Sequence, residues 1–587
     1  MQKLKRFIPG YFLVFIILAA SWSLFSSQFF RVHDYTHAGR IVEMARALHD
    51  GHFPVRWSQN FGYGYGMPLF QFYGPLPFYL GGILYLFSQN VILNIKALFL
   101  LSNVGTALGG YLLGKKLFGR QGGLVTAAAL TLAPYRAVNL FVRGALSESW
   151  AIMFLPWILL GAIKIFHQEK QGWLVFCLGL VGLFLSHNIT TMLFLPVLVL
   201  FVLGYLLMMV WRQASELYRN GRFRGLNLLR ISSRFLGGGL LAAGMSAFYL
   251  VPAFFEKGFT QVENFILTSY FDYHLHFLYI RQFFNASWGF GGSEWGVTDG
   301  ISFFLGWGQW FALGLFALVL LARLWQWIRK EKAIFPSKRV FALTGLFGLL
   351  LGGGLYMSLL KSQWLWDALP LLAYAQFPWR WLSIGIVMMA LLVGAVTWFL
   401  PKKLLRGYLS LWLVVIMAVG SAWYFRPESY LEDSNQFYYT DPHRIRRQLS
   451  GILPDYISSN MATEPSIIPE GLVVNEAELD AEQYQVLVDR TQEKLVRTDF
   501  DRDTLLNLAV AEYPGWQLTI DDQRWNRQHG PDGNIAVLVP SGEHLVSLRF
   551  LDTPLRAYAD WASLLAWVVF VYLLLPGKSL AKLKEQS

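Results

Sequence analysis

The stretch RVHDYTHAGR, residues 31–40, sets an acid, Asp34, between two histidines, His33 and His37. A carboxylate can take a proton from an attacking hydroxyl, and imidazoles close to it can tune or relay that proton. Asp34 and His37, together with Glu148 further along the chain, are therefore candidate catalytic groups, with His33 as a binding group. The structural alternative is a helix N-cap, a position Asp favours and which stabilises a helix by about 1 kcal/mol. The two roles can coexist.

Other reactive types recur far along the chain. VRGALSESWA places Arg143 five residues before Glu148, LSHNITT supplies His187, and AQFPWRW sets Trp379 and Arg380 side by side. A planar guanidinium beside aromatic walls can grip a phosphate through two parallel hydrogen bonds. An Arg143–Glu148 ion pair, a snorkelling Arg380 and a satisfied interfacial histidine are the alternatives. In FGYGYG, Tyr63 and Tyr65 alternate with glycines, which suits either stacking on sugar faces or an ordinary aromatic belt at a membrane interface. FDYHLHF offers Asp272, His274 and His276, whose alternation puts both histidines on one side of an extended strand, but as a zinc site the set is incomplete. No Gly-rich phosphate loop, GxSxG elbow or HExxH is present.

The elements that must position these groups are membrane helices. The 587 residues are 55% hydrophobic and only 15% charged, with a mean hydropathy of +0.40, which is the composition of a multi-span membrane protein. The first apolar run has no small-residue cleavage site and reads as an uncleaved span. The single cysteine, Cys177, excludes an internal disulfide. The net charge of +12 follows from basic loops that the positive-inside rule places in the cytoplasm, so it does not point to nucleic acid.

With Lys3, Lys5 and Arg6 inside, both termini are expected in the cytoplasm of a bacterial inner-membrane protein with about twelve spans. These include 92–114, 122–141, 149–166, 172–186, 190–210, 236–255 and 301–322. MPLFQFYGPLPFYLGGILYLFS reads as a Pro- and Gly-broken interfacial or re-entrant segment. An amphipathic helix is expected from Asp34 to Gly51. The candidate residues then all fall outside the cell, and no candidate chemistry is cytoplasmic.

Residues 425–558 differ in kind, with period-two alternation between YPG, DGN and PSGEH turns, and predict a small β-sandwich-like domain before the last span. The expected division is thus 1–424 as a transmembrane domain with a functional first external loop at 31–91, 425–558 as the β-rich domain, and 559–587 as final span and basic tail. The fold class is mostly α.

A first external loop opening on an acid soon after span one, then an interfacial helix and a PLPFYL segment before a span ending GKKLFG, resembles the GT-C superfamily of membrane glycosyltransferases. The motifs HDYTHAGRI, FGYGYGMPLFQFYGPLPFYL, RGALSESWA, AFYLVPAFFEK, QFPWRWL and the late YPGWQLTIDD and VPSGEHLVSLRF resemble a bacterial family of integral membrane proteins. That family carries the label 6-pyruvoyl-tetrahydropterin synthase-related and is akin to YfhO-type proteins. The pterin label does not transfer, since those synthases are soluble three-histidine zinc enzymes.

The GT-C resemblance implies a sugar passed from a polyprenyl-phosphate donor to an extracytoplasmic glycan, lipid or protein acceptor, with Asp34 as general base. Many such enzymes carry paired acids that hold a divalent metal. Here Tyr35 follows Asp34 and the next acid is Glu43, so no metal ligand is assigned and a divalent cofactor is doubtful. A lipid-linked glycan flippase and a non-catalytic envelope-assembly factor are the rival classes. Charges clustered on the external side favour the transferase.

Overall fold

The computed structural model describes residues 2–220, 227–265, 268–329, 338–400, 403–431, 436–452, 454–475, 479–480 and 482–575. The basic stretches within 221–226 and 330–337 and the tail beyond 575 lie outside the described residues. The chain is mostly helical, with a small antiparallel β region near its C-terminus. Among the described residues, eight helices are long and apolar enough to cross a membrane, or nine if one sharply bent pair is a single span. Pro9–Ala19, Leu76–Ser88 and Gly172–Phe184 are shorter apolar helices. The chain is a multi-pass membrane protein.

It divides into two compact units. One comprises Met1–Ala38, Asn90–Phe235 and Asn264–Gln436, and the other Gly39–Gln89, Leu236–Glu263 and Phe437–Ser587.

In the first unit the helix within Pro378–Phe399 is apolar all round and 94% of its most apolar window is buried, so it forms the centre. Val91–Thr131 holds two limbs that reverse at Gly119, whose φ of +81° a side chain would rarely adopt. Gly114 and Thr126 come face to face across the reversal, as do Gly110 and Ala127. Helix Leu146–Phe166 lies against Gly172–Phe184 so closely that a Cβ on Gly161 would stand 2.4 Å from the Phe176 nitrogen.

Several expected spans end elsewhere, for local reasons. The segment 122–141 is not one helix: it stops at Thr131, because Ala133 before Pro134 is forced to extended backbone (ψ 130°). A short turn, Pro134–Ala137, and a π-helical turn, Val138–Val142, follow. The helix expected from 301 begins at Trp307, since Ile301 pairs with Phe290 in an isolated bridge and Gly306 takes φ +103°. The amphipathic helix runs Thr36–His49, so Tyr35 and not Asp34 stands immediately before it.

In the second unit the segment 236–255 is part of a bent pair, Leu228–Met245 and Ala247–Phe255, at 73°. The Pro/Gly-broken segment contains Leu69–Phe72 and Leu76–Ser88.

The β region holds β1 (Tyr484–Arg490), β2 (Glu493–Phe500), β3 (Thr504–Ala511), β4 (Trp516–Ile520), β5 (Gln523–Arg524), β6 (Gln528–His529), β7 (Asn534–Val539) and β8 (Gly542–Phe550). They form a five-stranded sheet in the order β1-β2-β8-β4-β5 and a three-stranded sheet β3-β7-β6, both antiparallel. Strand β2 alternates buried and open residues, the pattern of a half-covered sheet.

Candidate functional site

Six of the sequence-derived residues, Asp34, Arg143, Glu148, His187, Trp379 and Arg380, come within reach of one another in the first unit, beside a π-helical turn. The extra residue in that turn lets the Arg143 amide bond to the Val138 carbonyl, five positions back, at 2.9 Å. Asn139 and Arg143 then face the same carboxylate. Glu148, in the first turn of its helix, is 1% exposed. Its Oε2 accepts from Arg143 Nη1 at 2.6 Å, and its Oε1 accepts from Tyr135 Oη at 2.8 Å and Asn139 Nδ2 at 3.3 Å. Arg143 Nη1 also donates to Asn139 Oδ1 at 2.6 Å. Both carboxylate oxygens thus accept hydrogen bonds from the first unit's own side chains. Burial pulls the Arg143 guanidinium down, but Glu148, Tyr135 and Asp34 hold it above its ordinary value.

Gly144 brings the opening motif to this point. Its φ is +68°, and a Cβ there would stand 2.7 Å from a Val32 methyl carbon. With no side chain in the way, the His33 amide bonds to the Val142 carbonyl at 3.0 Å and the Asp34 amide to the Arg143 carbonyl at 2.8 Å. The Asp34 side chain keeps 31% of its surface exposed, and its Oδ2 stands 3.9 Å from Nε2 of the fully buried His37. The carboxylate acts electrostatically on Arg143. His33 is turned away, its Nε2 donating to the Phe290 carbonyl at 2.8 Å.

The second arginine arrives from the turn Pro378–Trp381. Phe377, preceding a proline, is extended (φ −125°, ψ 107°) and aims the turn. Arg380 Nη1 donates to the Ala375 carbonyl at 2.7 Å and to Gln376 Oε1 at 3.2 Å. Its Nε stands 4.0 Å from Glu148 Oε2 with no hydrogen-bond partner. Trp379 lies under both guanidinium groups, with Arg143 Cζ at 4.6 Å and Arg380 Cζ at 6.0 Å from the ring centroid.

His187 is within electrostatic reach of Glu148, Arg380 and Arg143. Its Nδ1 accepts from the Thr190 amide at 3.2 Å, which leaves the hydrogen on Nε2. Burial, helped by the two arginines and opposed by Glu148, takes His187 down to about 3. The ring is neutral at physiological pH.

Other candidates go elsewhere. Tyr63 and Tyr65 lie in the second unit at 9% and 1% exposure, so neither offers an open face to a sugar. Tyr65 Oη donates toward Asp532 Oδ2 and the Ile467 carbonyl, each at 3.1 Å. The glycines beside them serve the chain path: a Cβ on Gly66 would stand 2.3 Å from Trp57 Nε1. FDYHLHF is no extended strand, because Tyr273–His276 is a 3-10 turn. His274 bonds Asp272 at 2.7 Å and Asp367 at 3.2 Å, whereas His276 turns to Ser293 and Tyr270.

The next acid after Asp34 is also spoken for. Glu43 accepts from Ser58, from the Asn60 amide and from the Asn60 side chain within the second unit. Among the described residues, no three His, Cys, Asp or Glu are grouped to hold a metal. Around Asp34 stand the His37 ring and, within electrostatic reach, the Arg143 guanidinium.

Tyr135, Asn139 and Ser293 escape the sequence reading. The spacing Tyr135, Asn139, Arg143 is a run of i, i+4 polar positions inside an apolar stretch, a helical-face signal that points to the first two. Nothing local marks Ser293.

No protein-family model matches the chain. An uncharacterised protein of Lactococcus lactis subsp. cremoris (strain MG1363) is 26% identical over 275 residues, covering 45% of this chain and 43% of that protein. The match thus spans less than half of that relative's length. Among solved structures, the arabinofuranosyltransferase AftD from Mycobacteria is similar over 72% of this chain and 27% of its own, at 16% identity and a TM-score of 0.45. An Archaeoglobus fulgidus oligosaccharyltransferase is similar over 74% of this chain and 57% of its own, at 12% identity and a TM-score of 0.39.

Proposed function

We propose that the protein is a membrane glycosyltransferase that moves a sugar from a polyprenyl-phosphate donor to an extracytoplasmic acceptor. The observation that carries this reading is the meeting of a part-exposed acid, Asp34, with two guanidinium groups, Arg143 and Arg380, around one fully occupied carboxylate. An acid beside paired cations matches what the reaction needs: a base for the hydroxyl and positive charge for the leaving phosphate.

In the transfer, the acceptor oxygen forms a bond to the anomeric carbon while the bond from that carbon to the phosphate oxygen breaks. The hydroxyl proton passes to the Asp34 carboxylate, and the electron pair leaves on the polyprenyl phosphate. Arg143, held in plane by Glu148 and Trp379, and Arg380, through its spare Nε, offset the charge that develops on the phosphate. His37 sits beside Asp34, and the neutral His187 offers an Nε2 hydrogen to the donor. Tyr135 and Asn139 hold Glu148 in place.

The test is turnover by the purified full chain in lipid nanodiscs, supplied with a panel of polyprenyl-phosphate sugars and compared with Asp34→Asn. Transfer by the wild type and its loss in a folded Asp34→Asn protein is expected. Turnover unchanged by that substitution sinks the assignment of the base, and binding of the lipid without transfer moves the chain to the transporter class.

A further inference from the structure

Trp379 is 3% exposed, and its indole N–H must find an acceptor inside the first unit. It donates to Ser293 Oγ at 3.1 Å. Ser293 Oγ in turn stands 2.7 Å from His276 Nδ1, and His276 Nε2 stands 2.5 Å from the Tyr270 carbonyl oxygen. The direction of every bond in this series follows from the donors available. A carbonyl only accepts, so His276 Nε2 carries the hydrogen and Nδ1 of the neutral ring is a lone pair. Ser293 then donates to Nδ1 and accepts from the indole, which only donates.

The series crosses three segments that are remote in sequence: the turns at 269–276, the loop carrying Ser293, and the turn Pro378–Trp381. His276 and Ser293 are 1% and 2% exposed. Buried polar atoms that are all paired hold one arrangement strongly, because any other leaves a donor unmet. The Tyr270 Oη accepts from the Ser293 amide at 3.1 Å and pins the same loop a second time.

Burial lowers His276, while the Tyr270 carbonyl and Asp272 raise it and Arg380 lowers it further. Those groups, with Ser293 itself, are the polar neighbours that face the ring, and the ring is neutral at physiological pH.

Trp379 is clamped on its faces too, stacked on Phe377 at 4.9 Å and tilted against Phe303 at 5.6 Å. The Arg143 guanidinium rests on this ring. We infer that Ser293, backed by His276, is a positioning residue: it sets the plane of Trp379 and through it the guanidinium that faces the donor phosphate. The role rests on the transferase reading only in naming that phosphate. Ser293 itself touches no substrate.

Two measurements on the full chain in nanodiscs separate the inference from that reading. The first is the indole N–H resonance of Trp379, identified by its loss in Trp379→Phe. Ser293→Ala should shift it and speed its exchange with solvent, and Ser293→Thr, which keeps the hydroxyl, should restore both. The second is retention of decaprenyl phosphate. Ser293→Ala should weaken it about fivefold, the size of one lost neutral hydrogen bond, with Ser293→Thr close to wild type.

Because Ser293 acts through Trp379, the double variant with Trp379→Phe should lose no more than Trp379→Phe alone. An indole signal indifferent to Ser293→Ala, or losses that add in the double variant, overturns the inference. A wild type that ignores decaprenyl phosphate removes the lipid-phosphate reading, while the indole measurement still decides whether Ser293 holds Trp379.

Discussion

Each unit buries an arginine–glutamate pair, Arg143–Glu148 in the first and Arg556–Glu256 in the second, and the two differ in what surrounds them. In the second unit Arg556 Nε donates to Glu256 Oε2 at 2.8 Å. Gln71 Nε2 adds a bond to Oε2 at 2.6 Å and Thr553 Oγ1 one to Oε1 at 2.8 Å. The guanidinium lies over the Tyr513 and Phe550 rings, and Arg556 and Glu256 are 0% and 4% exposed. In the first unit the Arg143–Glu148 pair is as short and as well supported. It borders a second guanidinium with an unpartnered Nε, and an acid, Asp34, that is part-exposed. Arg556 Nη1 and Nη2 also lack hydrogen-bond partners, so the two pairs differ in access: Arg556 and Glu256 are enclosed, whereas Asp34 is part-exposed. A pair that opens on an accessible acid has capacity left for a ligand.

Removing the acid at the open pair should therefore cost activity, and breaking the closed pair should cost stability. Asp34→Asn is expected to lower transfer from a polyprenyl-phosphate sugar by about 100- to 10,000-fold, the range for a lost general base, while the thermal unfolding midpoint stays at the wild-type value. A variant that melts early with its residual turnover intact would make Asp34 a structural residue like Glu256.

The converse change is Glu256→Ala, which strands Arg556 without its carboxylate and should cost about 3–5 kcal/mol of stability. Denaturant unfolding of the full chain measures it. Stability equal to the wild type would mean that the rings over Arg556 suffice and that the pair is not what closes the unit.

A smaller effect is expected from the spare donor. Arg380→Gln removes a charge-assisted partner for phosphate and should weaken decaprenyl phosphate retention about tenfold or somewhat more. Added salt should then weaken binding less steeply than in the wild type. Retention unchanged by Arg380→Gln would leave Arg143 as the phosphate group and take Arg380 out of the site.

The sequence carried the types of these groups further than their partners. Positions next to apolar runs were legible because an ionisable residue at a membrane boundary needs a reason, and this singled out Asp34, Arg143, Glu148, His187 and Arg380. The β strands were legible from alternation, since a half-covered sheet repeats every two residues. The π-helical turn that makes Asn139 face Glu148 was not, because it arises where Pro134 ends one helix and Gly144 lets another segment pass. The surroundings of Tyr65 were not legible for a related reason: alternation of Gly and Tyr states that backbone approaches something closely, and at Gly66 that something is Trp57, inside the same unit.

The finest distinction between the two regions lies in two histidines, His52 buried and His187 half-buried. His52 in the second unit is taken down to about 3 by burial, then by Arg56, with Asp50 opposing. His187 reaches about 3 by burial, with Arg380 and Arg143 adding to it and Glu148 opposing. For both, the folded value lies below the unfolded one near 6.5. Between those limits the unfolded chain binds a proton that the folded chain does not, so stability falls as pH drops from about 6.5 toward about 3. Replacing either with Gln should make that acid limb shallower, by at most about 1.4 kcal/mol per pH unit for each group.

A bound phosphate then separates them. An anion beside Arg143 and Arg380 favours the protonated ring of His187 and leaves His52 untouched. Decaprenyl phosphate should accordingly stabilise the wild type and His52→Gln more at about pH 5 than at about pH 7, and this excess should vanish in His187→Gln. An excess that survives His187→Gln and disappears in His52→Gln would put the ligand at the region assigned here as closed.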